Sequence, residues 1–131
     1  MRERSEYMQF RFARLYTDPS GESHFEDVDT ELGLLDFAPP APPLRVSDYI
    51  SAERTAFLGG PSGWNGDWHV SSARNLLVVI SGVWEIEASD GSKRSFTPNS
   101  VLLAEDTTGK GHRSRVVGEE DSLALLVQLA D

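Results

Sequence analysis

Residues 76–91 read Leu76-Leu77-Val78-Val79-Ile80-Ser81-Gly82-Val83-Trp84-Glu85-Ile86-Glu87-Ala88-Ser89-Asp90-Gly91. The first run is apolar, of strand length, and ends at Gly82. The second alternates, with Trp84, Ile86 and Ala88 on one side and Glu85 and Glu87 on the other, a period of two that a helix cannot use. Ser89-Asp90-Gly91 then has the chemistry of a tight turn. These features predict two consecutive strands, the second with one face in a core and one in water.

The same pattern extends in both directions. Downstream, residues 93–96, 101–103, 112–117 and 123–129 read as short strands, separated by Pro98-Asn99, Gly109, Gly111 and Gly118. Upstream, residues 7–16, 44–46 and 55–58 read likewise, and no helical period longer than two turns appears. Many short strands at close spacing predict an all-β sandwich or barrel. His24, Phe25 and the acidic residues Glu26, Asp27 and Asp29 are expected on a loop or edge strand. The Ala38-Pro39-Pro40-Ala41-Pro42-Pro43 segment can be neither helix nor central strand, and a stiff extended strap over the surface is expected there.

Composition narrows the class. A chain of 131 residues suits one domain, with residues 1–60 supplying N-terminal strands and the strap and residues 61–131 the barrel core. There is no cysteine, which excludes disulfides and thiolate metal sites. The start, with charges among its apolar residues, lacks a signal-peptide pattern, and no apolar run is long enough to span a bilayer. A cytoplasmic location and no membrane partner are therefore expected. A formal net charge of −9 opposes binding to a phosphate backbone, so no nucleic acid is expected either. Arg2, Arg4, Arg11 and Arg14 cluster near the start and read as a solvated face.

From Gly66 onward the chain resembles the cupin superfamily. Gly66-Asp67-Trp68-His69 leads into the first strand, Gly82 lies thirteen residues after His69, and Phe96-Thr97-Pro98-Asn99-Ser100-Val101 stands where cupins carry a Pro-Gly-Asp turn. His112, after the long polar loop 105–111, matches the single histidine of the second cupin motif. The resemblance implies a cupin-type double-stranded β-helix, that is, a jelly-roll barrel. It also implies a small-molecule ligand and a homodimer, for which the apolar stripe Met8, Phe10 and Phe12 is suited. Ser71 and Asn75 occupy the positions of the family's second histidine and its glutamate. Two imidazoles with a hydroxyl and an amide make a poor metal site, so no cofactor is expected. The alternative is a divalent metal ion held by His69, His112 and Glu105, or with His24 or Asp106 completing the set.

Period-2 alternation directs Ser71, Asn75, Leu77 and Val79 to one face, Trp84 and Ile86 to a facing wall, and His112 and Ser114 beside them. The expected pocket is apolar, with two histidines near its mouth. Such a pair suits proton transfer on a small carbonyl compound, with His69 and His112 as acid and base and Asp106 holding a tautomer. Ser71, Asn75, Trp84, Trp68, Lys110 and Ser114 are the expected substrate-binding residues. An isomerase, epimerase, lyase or cyclase follows from this reading, and a non-catalytic binder of a small apolar or planar ligand stands beside it.

Overall fold

The computed structural model describes residues 7–131. Arg2 and Arg4 lie outside them. Ten strands form among the described residues: β1 (Tyr7–Thr17), β2 (Ser23–Leu35), β3 (Leu44–Val46), β4 (Ala52–Gly60), β5 (Asn75–Ser81), β6 (Val83–Ala88), β7 (Lys93–Phe96), β8 (Val101–Ala104), β9 (His112–Val117) and β10 (Ser122–Leu129). One sheet runs β3-β2-β1-β8-β5-β10-β4, and the other β7-β6-β9. From β5 onward the chain crosses between the sheets at Gly82, after Phe96, and on either side of β9. This is the winding of a jelly-roll barrel, the all-β architecture expected of a cupin-like chain. The N-terminal strands are not a separate layer, because β1 pairs in parallel with β8.

Alternation fixes the core. Leu15, Leu77, Val79, Leu102 and Ala124 point inward from the larger sheet, and Trp84, Ile86, Ala88, Phe96 and Val116 meet them from the smaller one. Leu15 and Ala124 are fully enclosed, and burying a side chain such as Leu15 contributes about 1.5–3 kcal/mol. Gly82 makes the crossing possible: at φ +72° a Cβ would lie 2.4 Å from Ser122 Oγ. Glu85 and Glu87 face solvent, as alternation requires, and pair with Arg115 and Arg113 across the β6–β9 ladder.

The N-terminal half departs from expectation at the proline segment and in the facing of Arg11 and Arg14. His24 to Asp29, expected on a loop or edge strand, lie on β2, the longest strand, which pairs with β1 from Ser23 to Gly33. It remains an edge for most of that length, since β3 covers only Gly33 to Leu35. The proline segment is no extended strap. It turns back on itself, with the Ala41 N–H donating to the Ala38 carbonyl, and joins β2 to β3. Met8 and Phe10 lie on the outer face of the larger sheet and are exposed, while the opposite face of β1 enters the core at Ala13 and Leu15. Arg11 and Arg14 lie on opposite faces of β1 rather than on one solvated face, Arg11 paired with Asp29 and Arg14 with Glu26 and Glu105.

Candidate functional site

Residues 64–69 run along the free edge of β9 and place the first histidine. The Gly66 N–H donates to the Ser114 carbonyl, the Val116 N–H to the Trp64 carbonyl, and His69 and His112 exchange both backbone bonds at 2.9 Å. Bridged antiparallel partners project to the same side, and the two imidazole centroids lie 4.6 Å apart, tilted by 57°. Gly111 permits this approach. Its φ is +72°, and a Cβ there would fall 2.1 Å from the His69 carbonyl oxygen. The glycine before His112 is thus part of the site's geometry.

Each ring is oriented through Nδ1. In His69 that nitrogen lies 2.8 Å from the Asp67 carbonyl oxygen, and in His112 it lies 2.5 Å from Asp106 Oδ2. A carbonyl and a carboxylate only accept, so in the neutral rings both Nδ1 atoms carry the proton and both Nε2 atoms keep a lone pair. Asp106 is fully buried, and its Oδ1 has no hydrogen-bond partner among the described residues. Its own carbonyl accepts from the Ser71 N–H. One residue therefore fixes both the loop before β5 and the second imidazole.

The rings open on a cavity of about 470 Å³ between the sheets, bounded by Leu58, Trp64, Trp84, Ile86, Leu102 and Leu126, with Ser71, Ser72, Asn75 and Ser114 as its polar side chains. Such a volume suits a small molecule. Trp64 and Trp84 meet edge to face at 5.9 Å and 74°. Two glycines make room for them: a Cβ on Gly60 would strike the Trp84 ring at 2.7 Å, and one on Gly66 the Trp64 ring at 2.6 Å. Asn75 Nδ2 donates to Ser71 Oγ, which in turn donates to the Ala73 carbonyl.

Of the residues expected at the site, the structure brings together His69, His112, Asp106, Ser71, Asn75, Trp84 and Ser114. It does not bring Trp68 or Lys110. The Trp68 ring lies outside, under the Arg113 guanidinium at 5.0 Å, and Lys110 reaches into solvent toward Glu22. Glu105 follows the inward-facing Ala104 and so points outward, where Arg14 and Arg74 clasp it. Partial burial opposes its ionisation, but these two guanidinium bonds outweigh that and hold its pKa below the usual value. His24 is committed elsewhere, to Asp18 and Asp90. Neither residue completes a metal site. Among the described residues no three His, Asp or Glu side chains converge as a metal-binding group. With Ser71 engaged by Asn75 and Ala73, and Asp106 enclosed behind His112, the donor set does not fit the octahedral centre implied by the cupin motifs. Leu58, Leu126 and Trp64 were not among the expected lining residues. The glycines at 60 and 66 were the available signal for the tryptophan corner.

No protein-family model matches the chain, and no curated protein matches it. Among solved structures it is similar to the Cnp3 cupin domain of Schizosaccharomyces pombe, at 11% identity and TM-score 0.47 over 98% of this chain and 86% of that one. Protein NMB1881 from Neisseria meningitidis aligns at 14% identity and TM-score 0.43, over 58% of this chain and 72% of the other. A putative ethanolamine utilization protein Q from Salmonella typhimurium aligns at 13% identity and TM-score 0.38, over 93% and 97%. Likenesses this distant carry nothing about the site, and the jelly-roll assignment stands on the strand winding itself.

Proposed function

We propose that this chain is a small-molecule-binding barrel in which His69 and His112 move a proton on a bound carbonyl compound without a metal ion. The observation that carries this reading is the shared tautomer: both Nδ1 atoms are tied to acceptors, so each ring at the cavity has Nε2 as its free nitrogen. A neutral imidazole takes a proton from the carbon beside the carbonyl, and the electron pair passes to the carbonyl oxygen as an enolate. The second N–H of the Asn75 amide and the Ser114 hydroxyl are the wall donors suited to that oxygen. Asp106 stabilises the positive charge that proton uptake creates on His112. Return of the proton to the opposite face of that carbon, or to the far carbon where a conjugated double bond extends the enolate, completes an epimerisation or isomerisation that consumes nothing.

The test is proton–deuterium exchange at the carbons flanking the carbonyl of β-tetralone in heavy water, followed by NMR. We expect acceleration by the wild type that falls by about 10²–10⁴-fold in His112→Ala. Equal rates in the two proteins would leave a binding module. Elemental analysis of protein purified without tag or chelator is expected to show less than about a tenth of an equivalent of any transition metal.

A homodimer belongs to the same proposal. Phe57, Leu125, Val78 and Val101 form a cross-strand row on the outer face of the larger sheet. Phe57, Ile80, Leu123, Phe10 and Met8 are exposed on this face, and contiguous apolar surface of this kind is uncommon on monomers. The row is uncharged, which suits a second copy of itself. A monomer mass by light scattering would remove this part.

A further inference from the structure

We propose, resting on the cavity being the ligand site, that its ligand is uncharged and elongated: a flat apolar body with a single hydroxyl or carbonyl oxygen at one end.

The charge argument starts from strand parity. Along β9, His112 and Ser114 face the cavity while Arg113 and Arg115 face out to Glu87 and Glu85. Arg74 is held by Glu105 and Lys110 by Glu22. Among the described residues no Asp, Glu, Lys or Arg lines the cavity, and Asp106 is sealed behind His112. A phosphate, carboxylate or ammonium entering this space would give up its hydration with no fixed counter-charge to replace it. A neutral molecule loses far less.

The shape argument comes from register. On β6 and β9, Ala88 pairs with His112 and Trp84 with Val116. The histidine end and the tryptophan end are therefore four residues apart, about 13 Å along the strands. Asn75 and Ser71 belong to the histidine end, since Ser71 is bonded to Asp106 and Asn75 to Ser71. Leu58, Gly60, Trp64 and Trp84 form the other end, where a flat ring stacked on one indole meets the edge of the other. The imidazoles, Asn75 and Ser71 gather at one pole, Ser114 lies midway opposite Ile86, and the far pole carries polarity only as indole N–H, so the ligand's oxygen belongs at the histidine end.

Four probes sharing one ring system separate the possibilities: β-naphthol, β-naphthoate, β-naphthyl phosphate and β-naphthylmethylammonium. Titration calorimetry on the wild type is paired with Leu58→Trp, a filling substitution on the exposed β4 wall that touches no proposed proton-transfer residue. We expect β-naphthol to bind at least about tenfold more tightly than each charged probe, and its binding to be lost in Leu58→Trp. NMR of the complex should place the ring protons beside the Trp64 indole. A charged probe that binds as tightly or more tightly, and is displaced by Leu58→Trp, overturns the neutral-ligand proposal while leaving the cavity as a ligand site. Absence of saturable binding by all four probes, or binding that survives Leu58→Trp, overturns both.

Discussion

His24 and His112 both face carboxylates, yet the two regions use the imidazole differently. His24 is bonded at both nitrogens, to Asp18 at 2.7 Å and to Asp90 at 3.0 Å. It joins the β1–β2 turn to the β6–β7 turn, and so ties one sheet to the other. The Asp18 hydrogen bond, backed by Asp90 against the cost of partial burial, raises the His24 pKa above its usual value. The Ser20 hydroxyl and His24 hold Asp18 far below the usual carboxylate range. His112 is bonded to a carboxylate at Nδ1 and lines a cavity, with Nε2 left without a hydrogen-bond partner among the described residues. The number of committed nitrogens decides the role: two make a fixed cation that clasps the barrel, and one leaves a base.

The largest expected difference between the two is catalytic. His112→Ala should lower exchange of β-tetralone by about 10²–10⁴-fold, whereas His24→Gln should leave it within about twofold, being remote from the cavity. A comparable loss in both variants would erase the distinction. Next in size is stability. Asp106→Ala removes a fully buried carboxylate and leaves the His112 N–H unpaired, so urea unfolding should show a loss of about 3 kcal/mol. Asp106→Asn keeps the volume but offers a donor where an acceptor is needed, and should cost more exchange activity than stability.

The clasp predicts a pH dependence of definite sign. Because folding raises the His24 pKa from 6.5, its stabilisation is complete below that value and is lost as pH rises through the folded pKa. The Tm gap between wild type and His24→Gln should therefore be wider at about pH 6 than at about pH 9. A gap independent of pH would mean that His24 stabilises by packing on Tyr16, whose ring lies 5.6 Å away. The smallest effect belongs to Lys110→Ala. Its ion pair with Glu22 is largely exposed, so the change should stay within about 0.5 kcal/mol and leave β-naphthol binding unaltered.

How far the sequence could be read depends on what each residue answers to. Inward positions on β5, β6 and β9 answer to period 2, so the seating of Asn75, Trp84, Ser114 and His112 was legible, as was the Asp106–His112 pair from its nearness along the chain. Trp68 and Lys110 sit in irregular backbone, where alternation says nothing and nearness to a histidine is no guide to direction. Glu105 was misread for the opposite reason. Parity continued from β8 would have turned it outward to Arg14 and Arg74. The length of β2 was hidden because charges replace apolar alternation there, Asp29 and Glu26 meeting Arg11 and Arg14 across the β1–β2 ladder and Asp27 meeting Arg94 of the other sheet.

β4, the last strand of the larger sheet, pairs with β10 alone among the described residues, yet it supplies Leu58, Gly59 and Gly60 to the cavity. A wall made by a terminal strand can be recontoured without displacing a central one. Larger or smaller side chains at position 58 would change which molecules the barrel admits while the β5–β10 core keeps its register. Ligand preference and fold are therefore only loosely coupled here, and a lineage with this architecture can exchange one small guest for another by substitutions along a single peripheral strand.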